Sequence, residues 1–261
     1  MKGIPQEYTN WILNRLQGQK TRIHFDNFIS DLLDIDNGCD QGDPTSVILY
    51  HFYNTGLIET AKENNEELAP AFIDDVTFLA GGKTFEITHA KIHSMMTRSN
   101  GTYEWLRKHN SLFETDKLQL IDFSRKGEKD PTKKGKTHPI VRSHLDLIDG
   151  MIMPSSMHKL LGLILDQELC FSQHAAHTIA KGTKWIMQLQ RLAKLMQSLS
   201  FNNTCWLYNS IAIPEMLYAA DIWFTPIHDS FHNKRVSGSV GFANGLTKVQ
   251  RTAALHITGA L

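Results

Sequence analysis

The order of residue patterns predicts an α+β chain, with short antiparallel strands and helices in the first two thirds and helices alone thereafter. Three observations carry that expectation. Short β-branched and aromatic runs are separated by Asp-, Asn- and Gly-marked bends, as at Asp26-Asn27 and Gly81-Gly82. Pro44 and Thr84 stand where helices should start, just ahead of apolar residues at helical spacing. From Phe171 onward the spacing is helical throughout, with Trp185, Ile186, Leu189 and Leu192 on one face.

Taken in order, Pro5 followed by Trp11, Ile12 and Leu16 predicts a short amphipathic helix ending near Gly18. Residues 21–25 and 29–33 read as a hairpin turning at Asp26-Asn27. A glycine loop, Gly38 to Gly42, leads into a helix from Pro44, and Glu63 to Glu67 form a polar connector. Residues 71–80 read as a second hairpin. Thr84 caps a long helix expected to run from Phe85 to about His109, and Leu118 to Phe123 reads as a strand.

Residues 124–138 are lysine-rich and end at Pro139, which predicts a solvated loop. Residues 140–153 and 159–165 read as strands. The helical run over 205–223 should bend near Pro214. The glycine-rich stretch 237–245 precedes a last short helix, 246–257.

The 261 residues are 41% hydrophobic and 21% charged, an ordinary globular balance. No apolar run reaches the roughly 20 residues a bilayer span needs, so no membrane partner is expected. Cys39, Cys170 and Cys205 are odd in number and scattered, with neither metal spacing nor a disulfide framework. The net charge of zero hides an asymmetry. Residues 1–116 hold 10 Lys+Arg against 17 Asp+Glu, a balance of −7, and residues 117–261 hold 17 against 10, a balance of +7. A basic half suits contact with phosphates.

The most informative string is Ala71-Phe72-Ile73-Asp74-Asp75-Val76-Thr77-Phe78. Carboxylates flanked by apolar runs need a reason. One reading is a turn, which Asp favours. The other is a divalent-metal site, because hard cations take oxygen ligands and a strand-turn-strand holds two of them rigidly.

Upstream stands Gly38-Cys39-Asp40-Gln41-Gly42-Asp43-Pro44-Thr45-Ser46. This loop, followed by Phe72-Ile73-Asp74-Asp75, resembles two signature motifs of reverse transcriptases, and most of all those of non-LTR (LINE-like) retrotransposons of the fungal type. The resemblance runs nearly end to end. It implies a partial right-hand polymerase palm over 1–165, an all-helical thumb over 166–235 and a connector over 236–261.

By that resemblance Asp74 binds Mg²⁺ with Asp75 in support. Gln41, Gly42, Asp43, Pro44 and Ser46 contact the template and the incoming nucleotide. Lys117 matches a lysine that faces the departing pyrophosphate, where its charge would steady a leaving oxyanion. Leu161 and Gly162 lie in the segment that grips the primer. Lys181, Lys184, Arg191 and Lys194 could face duplex phosphates. The implied partners are an RNA template, a DNA primer and deoxynucleotide triphosphates, and the implied reaction is two-metal nucleotidyl transfer.

The pattern also departs from the family. Two ions need more ligands than one hairpin supplies, and the resemblance puts another carboxylate and the fingers ahead of the segment matched by residues 3–25. The expectation is a truncated copy that does not polymerise by itself, with an open sheet edge through which it could associate. Nuclear residence would follow only if the element were functional. The alternatives are a non-catalytic nucleic-acid-binding remnant and a soluble α+β protein with no nucleic-acid role.

Overall fold

A computed structural model describes residues 3–36, 38–40, 42–129, 137–196, 200–229 and 236–258; the side chains at 128, 129, 137, 139 and 192–196 lie outside that set. The chain divides into two units, Met1–Phe113 and Glu114–Leu261.

In the first unit, helix α1 (Gln6–Leu16) follows Pro5 directly. Strands β1 (Gln19–Thr21), β2 (His24–Phe25), β3 (Phe28–Ile29) and β4 (Leu33–Ile35) make one interrupted hairpin. β2 pairs with β3 around the expected Asp26-Asn27 turn, and β1 pairs with β4 farther out. Between them the Ile23 N–H donates to Ser30 Oγ and the Ser30 N–H donates to Ile23 O, both at 3.0 Å. Ile23, Phe25, Phe28 and Ile29 on this hairpin are all exposed.

Helix α2 (Pro44–Ile58) starts where Pro44 predicts, with Asp43 as its N-cap accepting from the Thr45 N–H. A 3₁₀ turn, Glu63–Asn65, follows. Strands β5 (Glu67–Leu68) and β8 (Leu79–Ala80) pair, and inside them β6 (Ala71–Phe72) pairs with β7 (Asp75–Val76).

The long helix expected over 85–109 is two helices, α3 (Phe85–Thr97) and α4 (Thr102–Lys108). The break falls at Asn100-Gly101, where Asn100 is left-handed (φ 57°). A Cβ on Gly101 would lie 2.7 Å from the carbonyl oxygens of Arg98 and Met95, so only glycine fits that close reversal. The reversal leaves Arg98 paired with Glu67, which is fully buried. The Asn65 side chain and the Lys62 N–H also donate to Glu67. The apolar core beside this pair is Leu57, Trp105 and Leu106, with Val76 and Phe78 packed against it.

In the second unit Lys117 ends a 3₁₀ turn, Thr115–Lys117. The strand expected over 118–123 reduces to one bridge, Leu120 to Pro154. The lysine-rich segment is not loop throughout, since its ends pair as β9 (Gly127–Lys129) and β10 (Thr137–Pro139). The strands expected over 140–165 appear as two hairpins rather than long strands. They are β11 (Leu145–Leu147) with β12 (Gly150–Ile152), and β13 (Met157–Leu160) with β14 (Leu163–Asp166). The bends are Ile148-Asp149 and Leu161-Gly162. Among the described residues strands pair only two by two.

Helix α5 (Ser172–Met196) opens the helical part. Next come α6 (Phe201–Leu207), a π-helical turn (Tyr208–Ala212), α7 (Ile213–Met216) and α8 (Ala220–Trp223). The irregularity expected near Pro214 falls just before it, in this π turn, where the Ile213 N–H donates to Tyr208 O. Strands β15 (His228–Asp229) and β16 (Val236–Ser237) pair before α9 (Val240–Thr258), which begins six residues earlier than the glycine-rich sequence suggested. Close packing explains the early start, because a Cβ on Gly245 would run into the Ile179 side chain of α5. The core here is Ile186, Ala212, Met216, Val249 and Ala253.

Candidate metal and nucleic-acid site

The two aspartates occupy one tight bend. β6 and β7 are joined by only Ile73 and Asp74, with Phe72 opposite Asp75. Asp74 and Asp75 are both exposed, Asp74 in the turn and Asp75 as the first residue of the return strand. Ile73 adopts φ +53° and Asp74 does not share that sign. Positive φ at the first central residue alone is a glycine-favouring pattern. In a β-branched residue it costs on the order of 1–3 kcal/mol and persists only where surroundings enforce it.

The enforcing group is in α2. Asn54 is 3% exposed, and its side-chain amide donates to Ile73 O at 2.6 Å. One turn earlier, Tyr50 lies near enough to feel the hairpin. Burial pushes its phenol above the ordinary range, and the charges of Asp74 and Tyr53 add to the push. Tyr53, three residues further along α2, stands edge-on to Trp105, with ring centroids 5.2 Å apart. Trp105 in turn stacks on His109, at 4.1 Å.

The same helix carries the glycine loop at its start, about 15 Å along the axis from Asn54. Gly42 is left-handed (φ 92°), with open space where a Cβ would go. The Asp43 carboxylate is held below its usual range, chiefly by the Thr45 N–H, and Arg15 of α1 also pairs with it. Ser46 Oγ donates to Asp40 O at 2.8 Å. Asp43, Pro44 and Ser46 therefore build the cap of α2, while Gln41 lies outside the described residues.

The donors at the bend suit a hard cation, but two carboxylates do not complete a site. Among the described residues no group of three or more His, Cys, Asp or Glu side chains is arranged to hold a metal ion. No described helix is long and apolar enough to cross a membrane.

The remaining candidates fall in the second unit. Lys117 pairs with Glu114 at 2.6 Å. Leu161 (φ 46°) and Gly162 (φ 88°) form the two-residue turn of β13–β14. The Tyr218 hydroxyl donates to Leu161 O at 2.5 Å and would be 3.0 Å from a Cβ on Gly162. His174, fully buried, accepts the Ile164 N–H at Nδ1 and donates from Nε2 to Tyr218 O. These bonds tie the hairpin to the helices, and an open groove of about 330 Å³ lies beside the turn, lined by Lys159, His177, Lys181 and Tyr218 among others.

On α5 Lys181, Lys184 and Arg191 are exposed and follow a spacing of three and seven residues, which places them on one face. Lys181 is engaged by Glu215 at 2.7 Å. The Lys194 side chain lies outside the described set.

Comparison with known proteins meets these features at one point. The chain is similar to a transposon polymerase. It is 23% identical over 222 residues to the probable RNA-directed DNA polymerase from transposon X-element of Drosophila melanogaster. The match covers 84% of this chain and 23% of that relative, so the chain spans about a quarter of the relative's length. No family model matches the chain. No solved structure matches it either.

The sequence singles out the aspartates and the basic positions of α5. It gives no role to Asn54, Arg15 or Tyr218. Asn54 and Arg15 act on residues 19 and 28 positions away, and nothing in a linear string marks such partners.

Proposed function

We propose that this chain is a segment of an RNA-directed DNA polymerase of the non-LTR retrotransposon kind, fungal type, whose Asp74–Asp75 turn contributes carboxylates to a Mg²⁺ site for nucleotidyl transfer. The observation that carries the reading is the exposed pair of aspartates at a tight bend pinned to α2, Asp74 in the turn and Asp75 opening the return strand. The distant similarity to a transposon polymerase supports it.

In this reading residues 1–165 are palm, 166–235 thumb and 236–261 connector. The loop before α2 approaches template and nucleotide through Gly42, whose open side leaves room for a backbone or base. Lys117 neutralises charge on departing pyrophosphate. The turn at Leu161-Gly162 and the α5 stripe hold primer and duplex. The metal, when bound, would supply Lewis-acid stabilisation of the phosphates. The chain's own part is to present oxygen donors at a fixed angle, and the remaining ligands must come from outside the hairpin. The chain is expected to bind an RNA–DNA duplex.

The binding reading rests separately on the shared face of Lys181, Lys184 and Arg191. A duplex-binding titration over a salt series tests it. Contact with about three phosphates predicts a log–log salt slope of about −2 to −3, and Lys184→Glu with Arg191→Glu should weaken binding about tenfold. A flat salt response would exclude a phosphate-holding role. Robust Mg²⁺-dependent extension, abolished in Asp74→Ala, would show that the chain is catalytic by itself.

A further inference from the structure

We infer that Asn54 is the positioning residue of the aspartate turn: its buried side-chain amide holds the Ile73 carbonyl, and so fixes the direction in which Asp74 and Asp75 face. The functional weight of this inference rests on the reading of the turn as a ligand-bearing site. Three facts converge on it. Ile73 sits at φ +53°, a region a β-branched side chain avoids. Its carbonyl is the acceptor of the 2.6 Å bond from Asn54 Nδ2. Asn54 is itself 3% exposed, so that bond is shielded from competing water.

The peptide between Ile73 and Asp74 is the hinge of the bend. Rotating it swings the Ile73 carbonyl one way and the Asp74 backbone the other. With the carbonyl bound, the peptide has one orientation, and the carboxylates of Asp74 and Asp75 keep a fixed relation to α2. Without the bond, Ile73 gains by relaxing to negative φ and the two-residue connection loses its geometry. Asn54 touches neither metal nor substrate. It acts through the main chain, and α2 transmits the rigidity of the core around Leu57 and Trp105 to the turn.

The test compares full-length wild type, Asn54→Leu, Ile73→Gly and the double variant by amide hydrogen exchange. The probe is the Thr77 N–H, which donates to Pro70 O at 2.9 Å beside the turn. Asn54→Leu keeps the volume and removes the donor, so exchange at Thr77 should quicken about tenfold. Glycine adopts positive φ without strain. In the Ile73→Gly background, removal of Asn54 should therefore quicken exchange by no more than about threefold. An equal effect in both backgrounds would mean that the Asn54 bond does not act by holding the Ile73 conformation, and no effect in either would likewise overturn the inference. If Asn54→Leu does not fold, Ile73→Gly alone decides, since relief of strain should leave Thr77 exchange unchanged or slower, and faster exchange would count against a held strain.

A second arm uses Mn²⁺ alone as probe. Paramagnetic broadening at the Asp74 and Asp75 amides is expected in the wild type and should need about tenfold more Mn²⁺ in Asn54→Leu. Absence of broadening in the wild type would sink the metal reading of the turn, while the exchange arm would still decide the role of Asn54.

Discussion

At the scale of single residues the clearest stabilising device is the ion pair inside the first unit. Glu67 is fully buried and meets Arg98 Nη1 at 3.0 Å and Nη2 at 2.6 Å. Burial alone would push its carboxyl up, but hydrogen bonds from Arg98, Asn65 and the Lys62 N–H outweigh that and hold it below the ordinary glutamate range. The sign of the pH effect follows. The pair contributes its stability above the unfolded-state value of about 4.3 and loses it as pH falls through the lower folded-state value. Thermal unfolding followed from pH 7 to pH 3 should show a steeper fall for wild type than for Glu67→Gln. At pH 7 the variant should be destabilised by about 2–4 kcal/mol, because Arg98, with its side chain only 15% exposed, is left without a charge partner. Equal pH profiles would refute this account. None of it was legible in the sequence, where Glu67 lies in a polar run that reads as a solvated connector. Asp74 and Asp75 stand out in the sequence because their immediate neighbours are apolar, whereas the partners of Glu67 and Asn54 lie 31 and 19 positions away.

At the scale of elements the sequence patterns located most starts and missed several ends. Pro44 and Thr84 mark helix starts because their chemistry is local: a fixed φ in one and a hydroxyl accepting from the Ile87 N–H in the other. The break between α3 and α4 was hidden because apolar spacing continues across it. It is tertiary, set by the Arg98 pair and the reversal at Gly101. Glycine misled at α9 for the opposite reason, being present for contact between helices rather than for a loop. That distinction predicts opposite signs for one substitution in two helices. In α5 a Cβ on Gly182 would run into the Met216 side chain, and Met216 is 2% exposed. Gly182→Ala should therefore cost about 1–3 kcal/mol despite better helix propensity. In α9 Gly241 has nothing within 4 Å of the same position, so Gly241→Ala should stabilise by about 0.5 kcal/mol. Denaturant midpoints of the two variants check both signs.

At the scale of the whole molecule, charge follows the division of the chain. Residues 1–113 carry 10 Lys+Arg against 15 Asp+Glu, a balance of −5, and residues 114–261 carry 17 against 12, a balance of +5. The acidic unit includes the aspartate turn and the basic unit includes the α5 stripe. A polyanion should be drawn to the second unit at long range, over the roughly 10 Å Debye length of 0.1 M salt. A multivalent cation should raise contact at the first unit, by screening its carboxylates. Photo-crosslinking of the full chain to an RNA–DNA duplex, read by mass spectrometry, should therefore yield mostly peptides from residues 114–261 in low salt without divalent ions. Adding Mg²⁺ should raise the share from residues 38–80, which hold the glycine loop and the turn, and Asp74→Asn with Asp75→Asn should remove that dependence on Mg²⁺. Crosslinks spread evenly over both units, and indifferent to Mg²⁺ in wild type, would separate the charge division from any nucleic-acid role.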